Sequence, residues 1–253
     1  MIEFNQINEL IKQSKQIQLT GNEYVDNRVK WAYDQANQGQ EMWWGGDKPQ
    51  PYYIFLYLLT KTFPGLYLEI GTHKGIALAC AAGGINDSTN PKLRYAIGVD
   101  VSNHSEANEV EKIFNRTLFI NGSSLDRTTF QRVKNVCQIE NLKIKIMFID
   151  AVHKMSYVNS ELFTYKELYD EQVIWVFDDI IKKANNTHLP LMFERLPGQK
   201  LLVENLHTDN AIGVALVNKF EYGNFNPGEY SPDEMERGFK YSEAKGPDHH
   251  ERW

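Results

Sequence analysis

Four polar side chains that could perform chemistry follow two apolar segments of the sequence. Asp150 and His153 come after one segment, and Asp178 and Asp179 come directly after the next. If these segments are neighbouring parallel strands, their carboxyl ends meet at one edge of a sheet and bring the acids together. Three unpaired carboxylates repel each other, and the usual remedy is a divalent cation. Oxygen ligands favour Mg²⁺, with Ca²⁺ or Mn²⁺ as substitutes, although any single acid could instead cap a helix or be solvated.

A glycine-containing loop provides the second candidate site. Residues 66–79 predict a strand, a tight turn and a helix, with Glu69 near the end of the strand and Gly71, Thr72 and Gly75 in the turn. Such a turn at a sheet edge is typical of nucleotide-like cofactor sites. The spacing does not match the G-x-G-x-x-G dinucleotide pattern, and the chain has no phosphate-binding P-loop sequence. Glu69 suits a cationic ligand, while the alternative is a loop that only turns strand into helix.

Two further positions extend this candidate cofactor site. Asp100 ends the predicted strand 94–100, where nucleotide-binding α/β folds place an acid that binds ribose hydroxyls. The alternative role for Asp100 is a cap for the next helix, which Ser102 and Asn103 could begin. Ser123 follows the predicted strand 117–120 in a polar turn that could contact the adenine edge.

Alternating strands and helices indicate a parallel sheet with right-handed crossovers. The predicted fold class is therefore a Rossmann-like, doubly wound α/β fold with a mostly parallel seven-stranded sheet, an antiparallel edge hairpin and an N-terminal helical extension. The predicted helices are 3–18, 23–37, 52–62, one from 76 to near 84, 126–138 and 155–169. The predicted strands are 66–70, 94–100, 117–120, 142–149, 172–177 and the hairpin 200–204 with 211–217.

The same patterns divide the chain into three parts. Residues 1–51 form the helical extension, 52–218 the cofactor-binding domain and 219–253 an irregular C-terminal tail. Trp43 and Trp44 lie between glycines and prolines in the segment 42–51. This segment could close over the site as a lid, or its indoles could pack the extension onto the core, and the sequence favours neither.

Composition excludes several classes of protein. The net charge of −6 and the absence of a dense Lys/Arg run argue against a sequence-independent grip on nucleic acid. The two cysteines, Cys80 and Cys137, have neither metal nor redox spacing, which fits a reducing, cytoplasmic location. No segment has the roughly 20 apolar residues of a membrane span.

Three motifs together carry a family resemblance: Glu-Ile-Gly-Thr-His-Lys-Gly at 69–75, Phe-Ile-Asp-Ala-Val-His at 148–153 and Val-Phe-Asp-Asp-Ile at 176–180. With Asp100, they resemble the metal-dependent class I O-methyltransferases, especially macrolide sugar O-methyltransferases and the cephalosporin-hydroxylase-like group. The resemblance implies S-adenosylmethionine as cofactor. Its matching positions imply that Asp150, Asp178 and Asp179 bind the metal, that Asp150 also lies beside the cofactor, and that His153 is the general base. Ser123 stands where many members have an adenine-binding aspartate.

The resulting expectation is transfer of a methyl group to a hydroxyl of a small polyol, sugar or sugar-bearing metabolite. Two alternatives stay open. One is a nucleic-acid or nucleotide methyltransferase, although no Asn/Asp-Pro-Pro-Tyr type of motif occurs. The other is a protein that binds S-adenosylmethionine without catalysis. The sequence leaves the acceptor, the physiological ion and homo-oligomerisation undetermined.

Overall fold

Seven strands form one sheet with the order β3-β2-β1-β4-β5-β7-β6 in the computed structural model of the protein. The structure describes residues 1–37, 51–180, 188–204 and 211–223. The strands are β1 Gly65–Ile70, β2 Arg94–Asp100, β3 Thr117–Asn121, β4 Ile144–Ile149, β5 Tyr169–Phe177, β6 Gln199–Val203 and β7 Ile212–Asn218. The helices are α1 Phe4–Gln16, α2 Glu23–Asn37, α3 Pro51–Thr62, α4 Ile76–Asn86, α5 Ser105–Ile113, α6 Arg127–Ile139, α7 Met155–Tyr165, α8 His188–Arg195 and α9 Lys219–Gly223.

The sheet confirms the predicted topology. Strands β1 to β5 run parallel, whereas β7 pairs antiparallel with β5 and β6 pairs antiparallel with β7. The central strands are mostly apolar because helices cover both faces of the sheet. One hydrophobic core joins the sheet to α1–α4, and a second core joins its other face to α6, α7 and α8. This order brings the carboxyl ends of β1, β2, β4 and β5 to one edge.

The N-terminal helices share the core of the sheet domain. Ile7 on α1 and Val25 on α2 are fully buried in the same core as α3 and α4. A hydrogen-bonded cluster adds a polar connection, in which Asn22 Nδ2 and Tyr57 Oη each donate to Asp87 Oδ2 at 2.9 Å. The extension therefore packs directly against the helices that flank β1.

Some predicted boundaries are wrong for reasons that depend on tertiary contacts. Strand β5 begins at Tyr169 rather than 172, because Tyr169 pairs with Ile144 of β4 and its ring is buried. Helix α7 ends at Tyr165 and continues as a short 3₁₀ turn. The tail predicted as irregular begins instead with α9, whose Tyr222 packs edge-on against Trp175. None of the described helices is long and apolar enough to cross a membrane.

Candidate active site

The glycine loop after β1 is a compact turn whose backbone amides are largely satisfied. The amides of Gly71 and Thr72 both donate to the Val99 carbonyl, at 2.9 and 3.2 Å, and the Gly75 amide donates to the Thr72 carbonyl at 2.8 Å. The His73 amide donates to the Asp100 carboxylate at 2.6 Å. Since a phosphate site needs free amides pointing at the ligand, this loop is unsuited to a pyrophosphate and fits a cofactor that lacks one.

Gly71 is required by a neighbouring strand as well as by the turn. Its φ of 89° is in the left-handed region that favours glycine. A Cβ atom there would lie 2.1 Å from the carbonyl oxygen of Asp150. A larger residue at 71 would thus first displace the end of β4, a constraint that the sequence analysis did not anticipate.

Glu69 lies at the end of β1 and is completely buried. The Tyr67 hydroxyl donates to Glu69 Oε2 at 2.7 Å. Burial raises the pKa of Glu69 to about 8 despite this hydrogen bond. The carboxyl group is therefore largely protonated at neutral pH until a cation approaches.

Asp100 links the glycine loop to the end of β2. Its Oδ2 accepts from the His73 amide, and its Oδ1 accepts from the Ser102 amide at 2.8 Å. Helix α5 begins at Ser105 after the cap residue His104, so the cap alternative for Asp100 is wrong. Each carboxylate oxygen keeps a second lone pair that can accept a hydrogen bond from a hydroxyl group.

Ser123 lies farther along the same edge, after β3, two strands away from β1. Its side chain is exposed, and its carbonyl accepts a hydrogen bond from the Asp126 amide at 3.0 Å. The ends of β1 and β2 bring Glu69, Gly71, Thr72 and Asp100 close together, whereas Ser123 lies beyond them at the end of the outer strand β3.

The acids after β4 and β5 are fixed by backbone hydrogen bonds that continue the sheet. The Asp150 amide donates to the Ile70 carbonyl at 2.9 Å, and the Asp178 amide donates to the Ile149 carbonyl at 3.0 Å. Ligand atoms of Asp150, His153 and Asp178 all lie within 4.8 Å of one another. Two carboxylates and an imidazole at this spacing form a donor set that suits a divalent cation.

Asp179 lies on the other side of the histidine. Its Oδ2 is 3.6 Å from His153 Nδ1, while Asp150 Oδ1 is 3.5 Å from His153 Nε2. Asp179 has a φ of 54°, a left-handed conformation that aspartate tolerates better than most residues. The imidazole therefore lies between two carboxylates. Asp179 is not among the three residues whose ligand atoms cluster, although it lies next to them.

Two tyrosines at the start of α3 form an apolar and phenolic wall near these acids. Tyr52 and Tyr53 are almost completely buried, with ring centroids 4.2 Å apart. Burial raises the pKa of Tyr52 well above its ordinary value, and Tyr53, Asp178 and Asp150 raise it further. The phenol stays neutral and can act as a hydrogen-bond donor near the acids.

Glu161 on α7 is a buried acid that the sequence analysis missed. It is 1% exposed, and the Ser124 hydroxyl donates to its Oε1 at 2.6 Å. Burial raises the pKa of Glu161 to about 7, although the Ser124 hydrogen bond and the nearby His153 lower it. The sequence signal was an acid on the apolar face of a helix, between Val158 and Leu162.

Two predicted features lie outside the described residues. One is the segment predicted as a lid or packing element, of which residues 42–50 with Trp43 and Trp44 are not described. The other is the tail after residue 223.

Comparison with known proteins identifies the family. The sequence matches the family model described as Rhamnosyl O-methyltransferase/CmcI over residues 46–192, more than half of the 253 residues. None of the curated protein sequences matches the chain.

Solved structures with the same fold share little sequence with this chain. One is the S-adenosylhomocysteine-bound methyltransferase PaMTH1 from Podospora anserina, at 13% identity and a TM-score of 0.55, covering 86% of this chain and 98% of that one. Another is CalS11, a TDP-rhamnose 3'-O-methyltransferase of calicheamicin biosynthesis, at 15% and 0.50, covering 84% and 93%. MycE of the mycinamycin pathway, in complex with Mg and S-adenosylhomocysteine, matches at 14% and 0.50, covering 83% of this chain and 58% of that one. At these low identities, the structural similarity establishes the fold alone. The match to the family model establishes that the protein belongs to the Rhamnosyl O-methyltransferase/CmcI family.

Proposed function

We propose that the protein transfers a methyl group from S-adenosylmethionine to a hydroxyl of a sugar or sugar-bearing small molecule, with a divalent cation at the acids after β4 and β5. The general class, an S-adenosylmethionine-dependent O-methyltransferase, follows from the family. The metal dependence and the acceptor are the specific parts of the proposal. CalS11, a TDP-rhamnose 3'-O-methyltransferase, favours a sugar acceptor by analogy, and MycE, whose structure contains Mg, favours the metal.

The observation that carries the proposal is the contact between the two candidate sites at Gly71 and Asp150. The glycine loop lies against the backbone of Asp150, whose side chain belongs to the cluster with His153 and Asp178. A cofactor on the loop and a ligand on the acids would therefore lie side by side. In-line transfer between two bound groups needs such a juxtaposition.

In this proposal the cofactor binds along β1 to β3. Asp100 accepts hydrogen bonds from the ribose hydroxyls, Gly71, Thr72 and Gly75 allow close approach of the methionine part, and Glu69 provides a carboxyl group beneath it. Ser123 contacts the adenine edge. Asp150 contributes on both sides, since its backbone meets the loop and its side chain faces the acceptor.

Asp150, Asp178 and Asp179 would hold the cation, which lowers the pKa of a bound hydroxyl and fixes its position. His153 then accepts the hydroxyl proton, a task for which imidazole is suited near neutral pH. The two carboxylates, at 3.5 and 3.6 Å from the ring nitrogens, orient the ring. His153 also lies within the ligand cluster, so it could bind the cation instead of accepting the proton. Metal titration of a His153 variant distinguishes the two roles.

Methyl transfer from labelled S-adenosylmethionine to free sugars, nucleoside-diphosphate sugars and glycosylated metabolites tests the proposal, with and without EDTA. The expected result is transfer to a hydroxyl acceptor that EDTA abolishes and Mg²⁺ restores. Asp178→Asn should lose transfer, whereas Asp170→Asn should retain it. Asp170 is a matched control because it lies at the opposite end of β5, the strand that Asp178 follows, and pairs there with Lys145. Transfer at full rate in EDTA would disprove the metal, and transfer only to nucleic acid would support the alternative class.

A further inference from the structure

Arg28 connects the N-terminal extension to the glycine loop. Its side chain is 11% exposed, although the neighbouring Asn27 and Lys30 on α2 are exposed. Arg28 Nη2 donates to the Lys74 carbonyl at 3.2 Å, and Arg28 Nη1 lies 3.4 Å from Glu109 Oε2. One guanidinium group therefore contacts two separate elements of the sheet domain.

Those two elements are the ones that frame the proposed ribose site. Lys74 belongs to the glycine loop between β1 and α4, and Glu109 lies on α5, which follows Asp100. The loop and the helix also meet directly, because a Cβ atom on Gly75 would lie 2.8 Å from Ala107 Cα. Arg28, on α2, contacts both the loop and α5 at the junction where they meet.

Trp31, one turn along α2, supports the same junction. The Arg28 guanidinium lies 4.8 Å from the centroid of the Trp31 ring, and the Lys74 ammonium lies 5.8 Å from it. Cation–π contacts of this length stabilise charged groups against an aromatic face. The indole thus holds both the arginine and the loop residue whose carbonyl the arginine binds.

The amides of residues 71–73 and 75 donate hydrogen bonds to acceptors within the sheet domain. Helix α2 contacts the loop through the hydrogen bond from Arg28 to the Lys74 carbonyl. We infer that Arg28 is a positioning residue for the cofactor: it holds the glycine loop and α5 at the separation that S-adenosylmethionine requires. This inference rests on the proposed cofactor site and makes α2 a functional part of it. An arginine suits the role because its planar guanidinium presents donors on separate nitrogens in a fixed geometry, whereas a lysine offers a single nitrogen.

The test compares Arg28→Ala, Arg28→Lys and Glu109→Gln with Lys30→Ala, an exposed position on the same helix. Hydrogen exchange of the loop amides at 71–75 measures how often the loop opens, without any ligand. Calorimetry with S-adenosylhomocysteine then measures cofactor affinity. In Arg28→Ala we expect loop exchange to rise and affinity to fall by roughly tenfold each, about 1.4 kcal/mol in affinity. Arg28→Lys and Glu109→Gln should give intermediate values, and Lys30→Ala should match the wild type.

Three outcomes would overturn the inference. Loop exchange and affinity in Arg28→Ala could equal those of Lys30→Ala, so that the contact has no effect. Exchange in β5 could rise as much as in the loop, so that Arg28 anchors the whole fold and not the loop. Arg28→Lys could match the wild type in both readouts, so that charge alone matters. If the wild type binds no S-adenosylhomocysteine, the proposed function fails, and the loop exchange still decides the role of Arg28.

Discussion

The carboxyl ends of β1 and β2 and those of β4 and β5 lie at the same edge of the sheet, but their polar groups are used differently. After β1 and β2, the loop amides donate to the Val99 and Thr72 carbonyls and, at His73, to the Asp100 carboxylate. After β4 and β5, Asp150, Asp178 and Asp179 gather around one imidazole. The first region is structurally complete without a ligand, whereas the second concentrates negative charge.

This difference indicates what each region needs from its ligand. A preformed hydrogen-bonded loop binds by shape and by the remaining lone pairs of Asp100, with little reorganisation. Clustered carboxylates repel each other unless a cation or a proton joins them. We therefore expect the first region to bind the cofactor without metal and the second to depend on a cation. Gly71 and Asp150, where the regions touch, should be sensitive in both respects.

The largest expected effect is loss of the cation. Asp178→Asn removes a charge with little change of shape, so turnover should fall by about 10³-fold, or roughly 4 kcal/mol, because the hydroxyl loses its electrostatic activation. The affinity for S-adenosylhomocysteine should stay within about twofold. Turnover with Mg²⁺ and calorimetry check the two parts. An equal loss in Asp170→Asn, at the other end of β5, would show that the effect is not specific to the site.

Removal of the base should lower turnover by a factor of the same order as loss of the cation. His153→Ala should lower turnover by roughly 10²–10⁴-fold if the imidazole accepts the proton, and the remaining activity should rise with pH as the hydroxyl ionises unaided. Titration with Mn²⁺ distinguishes this from ligation. If His153→Ala loses Mn²⁺ affinity as strongly as Asp178→Asn does, the histidine is a ligand and the assignment as base is wrong.

A smaller effect is expected in the cofactor region. Asp100→Ala should weaken S-adenosylhomocysteine binding by about 1–3 kcal/mol, since the ribose hydroxyls lose their acceptors and the His73 amide loses its partner. Binding of Mn²⁺ should not change. Unaltered cofactor affinity in a folded Asp100→Ala protein would remove Asp100 from the site.

Patterning and strand order were sufficient to predict the sheet and the strand ends that carry the site, because apolar runs and strand-helix alternation are local signals. Long-range contacts were not predictable. The collision of a Cβ on Gly71 with the Asp150 carbonyl, and the contact of Arg28 with Lys74, join residues 79 and 46 positions apart. Glu161 was missed because an acid on a helix is usually solvated, and only tertiary packing buries it.

A further expected effect concerns stability and pH rather than turnover or affinity. The folded-state pKa of Glu69, about 8, lies above its ordinary value of 4.5, so the folded state retains a proton that the unfolded chain releases. Its contribution to the free energy of unfolding is full below about pH 4.5 and is lost as pH rises through about 8. Thermal melts from pH 5 to 9 should show Tm falling, and the fall should be smaller in Glu69→Gln than in the wild type. Glu161 contributes in the same direction, so part of the fall should remain. An unchanged pH dependence in Glu69→Gln would contradict the raised pKa.

The most direct test of the two-region account is a pair of titrations on the wild type and Asp178→Asn. Electron paramagnetic resonance measures free Mn²⁺, and calorimetry without metal measures binding of S-adenosylhomocysteine. We predict about one Mn²⁺ per chain in the wild type, at least about tenfold weaker Mn²⁺ binding in Asp178→Asn and the same cofactor affinity in both. Mn²⁺ binding that Asp178→Asn leaves unchanged, or cofactor binding that requires the metal, would contradict the account.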